Sequence, residues 1–333
     1  MEGGDCKYNF KFSKQINNMN DLNFKFPLDD FEELIKNITG NELDEWVKFW
    51  EKDEDVFLMI SKFYGVNFRK DWLWGVVLPI LSHLYQYKKL SSNRLVLGLS
   101  ALPGTGKTTL GILIEKLTLK MNIKVLVVSM DDFYLPSEEM KIAIKNNPWS
   151  VSRGFPGSHS ISLIENRISQ WKNTGIFNYP VFDKSLRSGL GDRSSWRTAF
   201  PEIIIFEGWF LGVNPIIDNN IDDKVHPSLL PEEITYRSLI QSNLKKYLNI
   251  WKLIDKIWQI IPNEFQYMNE WKSSQEKSML KDKGNALVDK DLSNFLRMLN
   301  CSIPKASFSQ IESNYKIILD KNREVIKVGL NKI

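Results

Sequence analysis

The sequence predicts an α/β fold, a three-layer sandwich with a mostly parallel sheet and helices on both faces, and three observations carry that prediction. Short apolar runs recur at residues 95–99, 124–129, 203–206, 254–261 and 315–319, each bounded by polar or turn-forming residues as buried strands are. Helical patterns separate them. In the first, Leu110, Leu113, Ile114 and Leu117 recur at the i, i+3, i+4, i+7 spacing of one helix face. Distinctive polar residues then stand at or just after the carboxyl ends of the runs, where such sheets bind ligands.

Residues 1–20 are polar and Asn-rich without periodicity and read as a loose tail. From Pro27 to Leu90 the pattern is helical: Phe31, Leu34 and Ile35 form one apolar stripe and Trp46, Phe49 and Trp50 a second. Trp72 to Leu90 forms a third, ending at the Ser91-Ser92-Asn93 break. We therefore expect an N-terminal helical segment over residues 1–92 packed on an α/β domain over residues 93–333. No internal repeat or low-complexity tract interrupts either part.

Composition narrows the classes of function. With 333 residues, 25% of them charged, and with 11 Trp and 19 Phe, the chain is globular and long enough for a large domain plus an accessory segment. The net charge is only +4 and no dense Lys/Arg stripe occurs, which argues against nucleic acid as a partner. Cys6 and Cys301 belong to no CxxC or Cys/His ligand spacing, so a reducing compartment is the simplest expectation. The N-terminus has neither an apolar signal core nor transit-peptide character. The most apolar stretch, Trp72 to Tyr85, contains Pro79 and His83 and falls short of the ~20 residues that span a bilayer. We expect a cytoplasmic protein with no membrane partner.

The first apolar run ends in Ala101-Leu102-Pro103-Gly104-Thr105-Gly106-Lys107-Thr108-Thr109 and opens a helix. This is close to the P-loop pattern GxxxxGK[ST], in which backbone N–H groups wrap phosphates, the lysine reaches the β/γ oxygens and the hydroxyl meets Mg²⁺. Ala101 stands in place of the first glycine. The flanking strand and helix supply the context that the pattern needs, so Leu102 to Thr109 are candidate nucleotide-binding residues, for ATP or GTP, and the fold is of P-loop NTPase type.

Phosphoryl transfer also needs a metal, positive charge and a group to orient or deprotonate the acceptor hydroxyl. Asp131 and Asp132 follow the second run. An aspartate there can simply cap what comes next, but beside a P-loop it is also a candidate base, and Asp131, nearer the strand, is the first choice. Glu207 ends Ile-Ile-Ile-Phe in the manner of a Walker B strand, whose carboxylate holds Mg²⁺ directly or through water. Thr108 and Glu207 are therefore the candidate metal residues.

Two stretches read as substrate loops, residues 153–159 (Arg-Gly-Phe-Pro-Gly-Ser-His) and residues 179–193 (Tyr-Pro-Val-Phe-Asp-Lys-Ser-Leu-Arg-Ser-Gly-Leu-Gly-Asp-Arg), both rich in Gly, Pro and basic residues. Arg153, Lys184, Arg187 and Arg193 can clamp a carboxylate, although any one of them in isolation reads first as a solvated loop cation. By pattern alone His159 is a structural hydrogen-bonding group. Between Ile261 and Leu299 a Trp-, Lys- and Glu-rich stretch, with Lys272, Lys277, Lys281, Lys283 and Gly284 before a helix over residues 291–299, reads either as a lid over residues 265–300 or as an exposed helical hairpin.

In this order, Pro-Gly-Thr-Gly-Lys-Thr-Thr, Met-Asp-Asp-Phe-Tyr-Leu, Arg-Gly-Phe-Pro-Gly-Ser-His, Tyr-Pro-Val-Phe-Asp-Lys-Ser, Gly-Asp-Arg and Ile-Phe-Glu-Gly-Trp-Phe-Leu-Gly resemble the plant-type D-glycerate 3-kinase family. That family belongs to the P-loop kinase group with uridine kinase, phosphoribulokinase and bacterial pantothenate kinase, and the similarity runs from about Leu95 to Val328. The resemblance implies an ATP- and Mg²⁺-dependent kinase whose 93–333 domain phosphorylates the small hydroxy acid D-glycerate to 3-phosphoglycerate. It matches Asp131 to the catalytic carboxylate, Glu207 to the Mg²⁺-side carboxylate and Asp183 to an acceptor-side motif. Lys184, Arg187 and Arg193 then fall where the acid binds, with Arg153, His159 and Tyr179 in the neighbouring motifs. Lys272, after Trp271, departs from the arginine that the resemblance leads us to expect. Two alternatives stay open: a kinase of the same group with a uridine- or pantothenate-like acceptor, and a nucleotide-binding regulatory protein with little turnover.

Overall fold

The structure is a computed structural model and describes residues 24–64, 68–216, 225–283 and 286–332. The expected N-terminal tail with Cys6, and Gly284, lie outside the described residues. Strands β1 (Leu95–Ala101), β2 (Val125–Ser129), β3 (Phe177–Asp183), β4 (Asp192–Ala199), β5 (Ile203–Gly208), β6 (Lys256–Pro262), β7 (Tyr315–Leu319) and β8 (Val325–Leu330) occur in chain order. Six of them form a sheet in the order β2-β5-β1-β6-β7-β8, parallel throughout except for the last pair.

Alternation along the strands makes the three layers. Leu95, Leu97, Leu99, Ile203, Ile205, Trp258 and Ile260 face one core, while Val96, Ile204, Phe206 and Val128 face another. Because successive side chains point to opposite faces, a strand buried on both sides must be apolar nearly throughout, and that is the continuous pattern of β1 and β5.

Helices α1 (Leu28–Thr39), α2 (Leu43–Glu51), α3 (Glu54–Tyr64), α4 (Lys70–Trp72) and α5 (Leu78–Leu90) precede the sheet. α1 stops where Gly40 enters the left-handed region, φ 75°, and its N–H closes on the Lys36 carbonyl. Phe31, Leu34, Ile35, Trp46 and Trp50 are buried in the same core as Leu95 and Leu97, so this segment covers one face of the sheet. The indoles of Trp46 and Trp50 both donate to the Ser82 hydroxyl, at 2.7 and 2.9 Å, which satisfies two buried N–H groups at one point. The stripe expected from Trp72 to Leu90 is not one regular helix. A π-helical turn over Leu73–Val77 interrupts it.

On the other face lie α8 (Ile161–Thr174) and α9 (Pro231–Trp251), whereas α6 (Lys107–Lys120), leaving β1, buries Leu110, Leu113, Ile114 and Leu117 in the same core as the N-terminal helices; the short α7 (Ser137–Ala143) follows β2. α10 (Tyr267–Lys283), α11 (Asp289–Cys301) and α12 (Lys305–Ser309) lie between β6 and β7. Residues 179–193, expected as a loop, are a loop only over 184–191; on either side the chain is strand, and β3 pairs with β4 in an antiparallel hairpin outside the main sheet. Its strand signal was weak for a physical reason. β3 carries Pro180, and β4 has polar residues on both faces because it packs on little but β3. β8 was also unforeseen. It returns antiparallel to β7 as the edge strand.

Candidate active site

One cavity of about 830 Å³ opens at the carboxyl ends of β1, β2 and β5. Pro103 to Thr109 line it. Leu102 is buried beneath. The loop takes its shape from Gly104 and Gly106, at φ 80° and 95°, which L side chains rarely adopt. A Cβ on Gly104 would lie 2.7 Å from Trp271 Cβ and 2.8 Å from the Lys272 nitrogen, so glycine is required there twice over. Ala101, by contrast, is still strand, paired with Ile260, and needs no left-handed backbone; this explains why alanine is accepted in place of the first glycine. Thr105 Oγ1 donates to the Leu102 carbonyl at 2.8 Å, and Arg323 Nε donates to the Gly104 carbonyl at 2.9 Å. The loop feeds into the N-terminus of α6, whose unpaired N–H groups and dipole favour an anion.

Asp131, Asp132, Lys184 and Glu207 line the same cavity as Lys107. Asp131 sits on a 3₁₀ turn over Met130–Phe133, its N–H donating to Ser129 Oγ at 3.2 Å. Its carboxylate accepts from Tyr134 Oη at 2.8 Å and from Lys184 Nζ at 2.7 Å. Burial would raise this carboxyl, but the Lys184 ammonium outweighs it and holds the group well below the usual carboxylate range. The neighbouring Asp132 has no such cation. Burial pushes it up to about 6, with the Asp131 and Glu207 carboxylates adding to the shift.

Glu207 is 4% exposed; its Oε2 lacks a hydrogen-bond partner and lies 3.9 Å from Lys107 Nζ. Burial raises its pKa, and the Lys107 charge and the Ser129 hydroxyl oppose the rise. Among the described residues no group of three or more His, Cys, Asp and Glu side chains is set to hold a metal ion. Lys272, on α10, reaches the cavity and pairs with Glu276; burial lowers its pKa against that partner. α10 and α11 thus supply Lys272, Gln275 and Phe295 to the cavity wall.

The other candidates stand behind the wall. His159 is buried, pairs through Nδ1 with Tyr247 Oη at 2.9 Å and stacks on Tyr134 at 4.6 Å between ring centroids. Burial lowers its pKa to about 4, so it is neutral near pH 7. Arg193 donates to the Tyr134 carbonyl at 3.1 Å and to Ser160 Oγ at 2.6 Å, while Arg153 donates to the carbonyls of Gly189 and Leu190 at 3.0 and 2.7 Å. Arg187 pairs with Asp192 at 3.4 Å and Glu138 at 3.6 Å. Asp183 accepts from the N–H and hydroxyl of Ser185 at 2.8 and 2.6 Å, and Tyr179 stacks on Phe177. The Arg193–Tyr134 and Arg187–Glu138 contacts tie the hairpin to the segment that carries Asp131, while those of Asp183 and Tyr179 lie within the hairpin.

Phe68, Arg69, Trp72, Asn322 and Arg323 also line the cavity; of these the sequence pattern marks only Trp72, and as part of an apolar helical stripe rather than of a site. No local pattern links residues 68–72 to residues 322–323. Tertiary contacts bring them together, from Arg69, Asp71 and Trp72 to the turn between β7 and β8.

No protein-family model matches the chain. Among the described residues no helix is long and apolar enough to cross a membrane. Over 221 residues the chain is 32% identical to the "Probable ATP-dependent kinase TDA10" of Saccharomyces cerevisiae, covering 59% of this chain and 73% of that protein. It is 31% identical over 216 residues to the chloroplastic D-glycerate 3-kinase of Arabidopsis thaliana, covering 61% of this chain and 45% of that longer protein. The structure of the D-glycerate 3-kinase from Cryptococcus neoformans var. grubii matches with a TM-score of 0.65 at 25% identity, over 75% of this chain and 96% of that one. The chain belongs to the family of ATP-dependent P-loop kinases that includes these proteins.

Proposed function

We propose that the chain transfers the γ-phosphoryl group of ATP to the 3-hydroxyl of D-glycerate, giving 3-phosphoglycerate and ADP. The observation that carries this reading is the Asp131–Lys184 pair, 2.7 Å apart and open to the cavity that the phosphate loop lines. The names of the Arabidopsis and Cryptococcus relatives support it. An ionised carboxylate can take a hydroxyl proton, and a cation beside it can attract the carboxylate of a small acid.

In the proposed reaction the glycerate hydroxyl oxygen forms a bond to the γ-phosphorus while the bond from that phosphorus to the β–γ bridging oxygen breaks. Asp131 accepts the hydroxyl proton. Lys107 and the N–H groups of residues 104–108 hold the β and γ oxygens, and Lys184 exchanges part of its pairing with Asp131 for the substrate acid. Lys272 adds positive charge from α10, which with α11 forms a lid over the phosphates.

The residues present suit Mg²⁺. Glu207 Oε2 is a buried, unpartnered hard oxygen and the Thr108 hydroxyl stands at the head of α6; magnesium in such sites takes few protein ligands and completes its shell with water and phosphate. When bound, the ion neutralises charge between the β and γ oxygens. Domain organisation follows the same reading, with residues 93–333 as the kinase domain and residues 1–92 as a helical segment packed on it.

The test is a coupled ADP assay over a panel of D-glycerate, L-glycerate, uridine and pantothenate. Turnover with D-glycerate well above the others is expected. Ready turnover of uridine or pantothenate with none of D-glycerate overturns the reading.

A further inference from the structure

Sheet order fixes which way a nucleotide must lie. Asp131 follows β2, two strands to one side of β1, and the turn carrying Asn322 and Arg323 follows β7, two strands to the other. At ~4.8 Å between strands, each stands roughly 10 Å from the strand that feeds the phosphate loop. If the γ-phosphoryl is transferred beside Asp131, the remainder of the nucleotide extends along the loop toward β7.

At that end the N-terminal segment enters the cavity. Phe68, Arg69 and Trp72 line it opposite Asn322 and Arg323. The two sides are joined: Arg69 Nη1 donates to the Asn322 carbonyl and Trp72 Nε1 to the Arg323 carbonyl, each at 2.7 Å. Asp71 accepts from the Val325 N–H at 2.8 Å, and Arg69 pairs with Asp71 at 2.8 Å. Arg323, held at φ 60°, then reaches the Gly104 carbonyl at 2.9 Å and lies over the Trp271 ring at 5.3 Å. The π-helical turn begins directly after Trp72, an irregularity frequent where a helix serves a site. Gly75 in that turn lets Phe26 and Val325 approach closely.

We propose that Phe68 and Trp72 of the N-terminal segment, with Asn322 and Arg323 of the β7–β8 turn, form the subsite for the adenine ring of ATP. The half-buried rings of Phe68 and Trp72 line the cavity and offer a stacking face, and Asn322 at the rim suits the polar edge of a purine, while the Arg323 guanidinium, held by the Gly104 and Trp271 carbonyls, braces that wall. The segment that the sequence left without a role thereby completes the nucleotide site. The direction of the nucleotide rests on the phosphoryl-transfer reading above, but the test does not use the acceptor.

Calorimetric titration of the full chain with ADP and, separately, with inorganic pyrophosphate separates the ring from the phosphates. Trp72→Ala is expected to weaken ADP about 10-fold and to leave pyrophosphate within about twofold, because only the ring loses its partner. Trp72→Phe, which keeps an aromatic face but not the N–H given to Arg323, is expected to retain most of the ADP affinity. Where Trp72→Ala does not fold, Trp72→Leu replaces it with the same expectation. The proposal is overturned if ADP affinity is unchanged, or if ADP and pyrophosphate weaken together, which is what a merely bracing indole would give. Failure of D-glycerate turnover leaves these titrations unaffected, so the two readings fail separately.

Discussion

The two ends of the cavity hold charge by different means. At the phosphate end the work is conformational: Gly104 and Gly106 at positive φ aim backbone N–H groups, and Thr105 and Arg323 tie down the carbonyls of Leu102 and Gly104. Backbone groups do not titrate. At the end proposed for the acceptor, Asp131, Asp132, Glu207 and Lys184 crowd together, and the protonation of the three carboxyls depends on burial and on the charges beside them. The first end is therefore set by chain geometry and the second by charge balance, so substitution and pH are expected to act on them separately.

The largest expected effect tests that separation directly. On the proposed mechanism Asp131→Asn removes the proton acceptor while keeping size and shape, and kcat is expected to fall about 10²–10⁴-fold. ADP affinity, measured by calorimetry, is expected to stay within about twofold, because no phosphate-loop contact changes. A parallel collapse of ADP binding would show that the two ends are one unit and would break the comparison.

The same contrast governs what could be read in advance. The phosphate loop is legible because its chemistry is local: two glycines, a lysine and a threonine act within one turn between a strand and a helix. Glu207 was marked by the apolar run before it, and Asp131 by its place after β2. Long polar side chains are harder, since their targets are set by tertiary structure. Arg153 and Arg193 stand in Gly- and Pro-rich stretches that read as substrate loops, yet their guanidinium groups meet the carbonyls of Gly189, Leu190 and Tyr134. Arg69 and Arg323 carry no signal and Trp72 reads only as helix core, because more than 200 residues separate the two pieces that form their end of the cavity. The hairpin of β3 and β4 was missed for a third reason: it buries too little for alternation to appear.

Lys184→Met gives the next effect and sharpens the acceptor side. With its ammonium gone, burial is left to act on Asp131, whose pKa must rise. A base is active when ionised, so the acid limb of the pH profile of kcat/KM is expected to move to higher pH. At pH 7 kcat/KM for D-glycerate is expected to fall about 10-fold or more, with part of the loss recovered at pH 8 and a raised KM for the acid throughout. An unshifted acid limb would mean that Lys184 does not set the charge state of Asp131.

The smallest effect isolates a carboxylate with no cation beside it. Asp132 is raised from the ordinary aspartate value to about 6 by burial, so between roughly pH 4 and 6 the folded protein binds a proton that the unfolded chain has released. Stability contributed by this group therefore decreases as pH rises through that window. Below both values the native state carries no penalty; above pH 6 it carries all of it. Asp132→Asn removes the titration, and its melting temperature relative to the parent chain is expected to rise by roughly 2–4 °C on going from pH 4 to pH 7. The adjacent Asp131 has the opposite sign and a more acidic window: its lowered pKa adds stability that is complete above the ordinary aspartate value and is lost only as pH falls below it, so Asp131→Asn is expected to lose stability relative to the parent as pH rises toward about 4 and to stay level from there to pH 7. Two neighbouring aspartates with opposed pH dependence would place the charge balance of the acceptor end in Lys184 and local burial rather than in net charge. Equal slopes for the two variants would place it in the field of the whole domain.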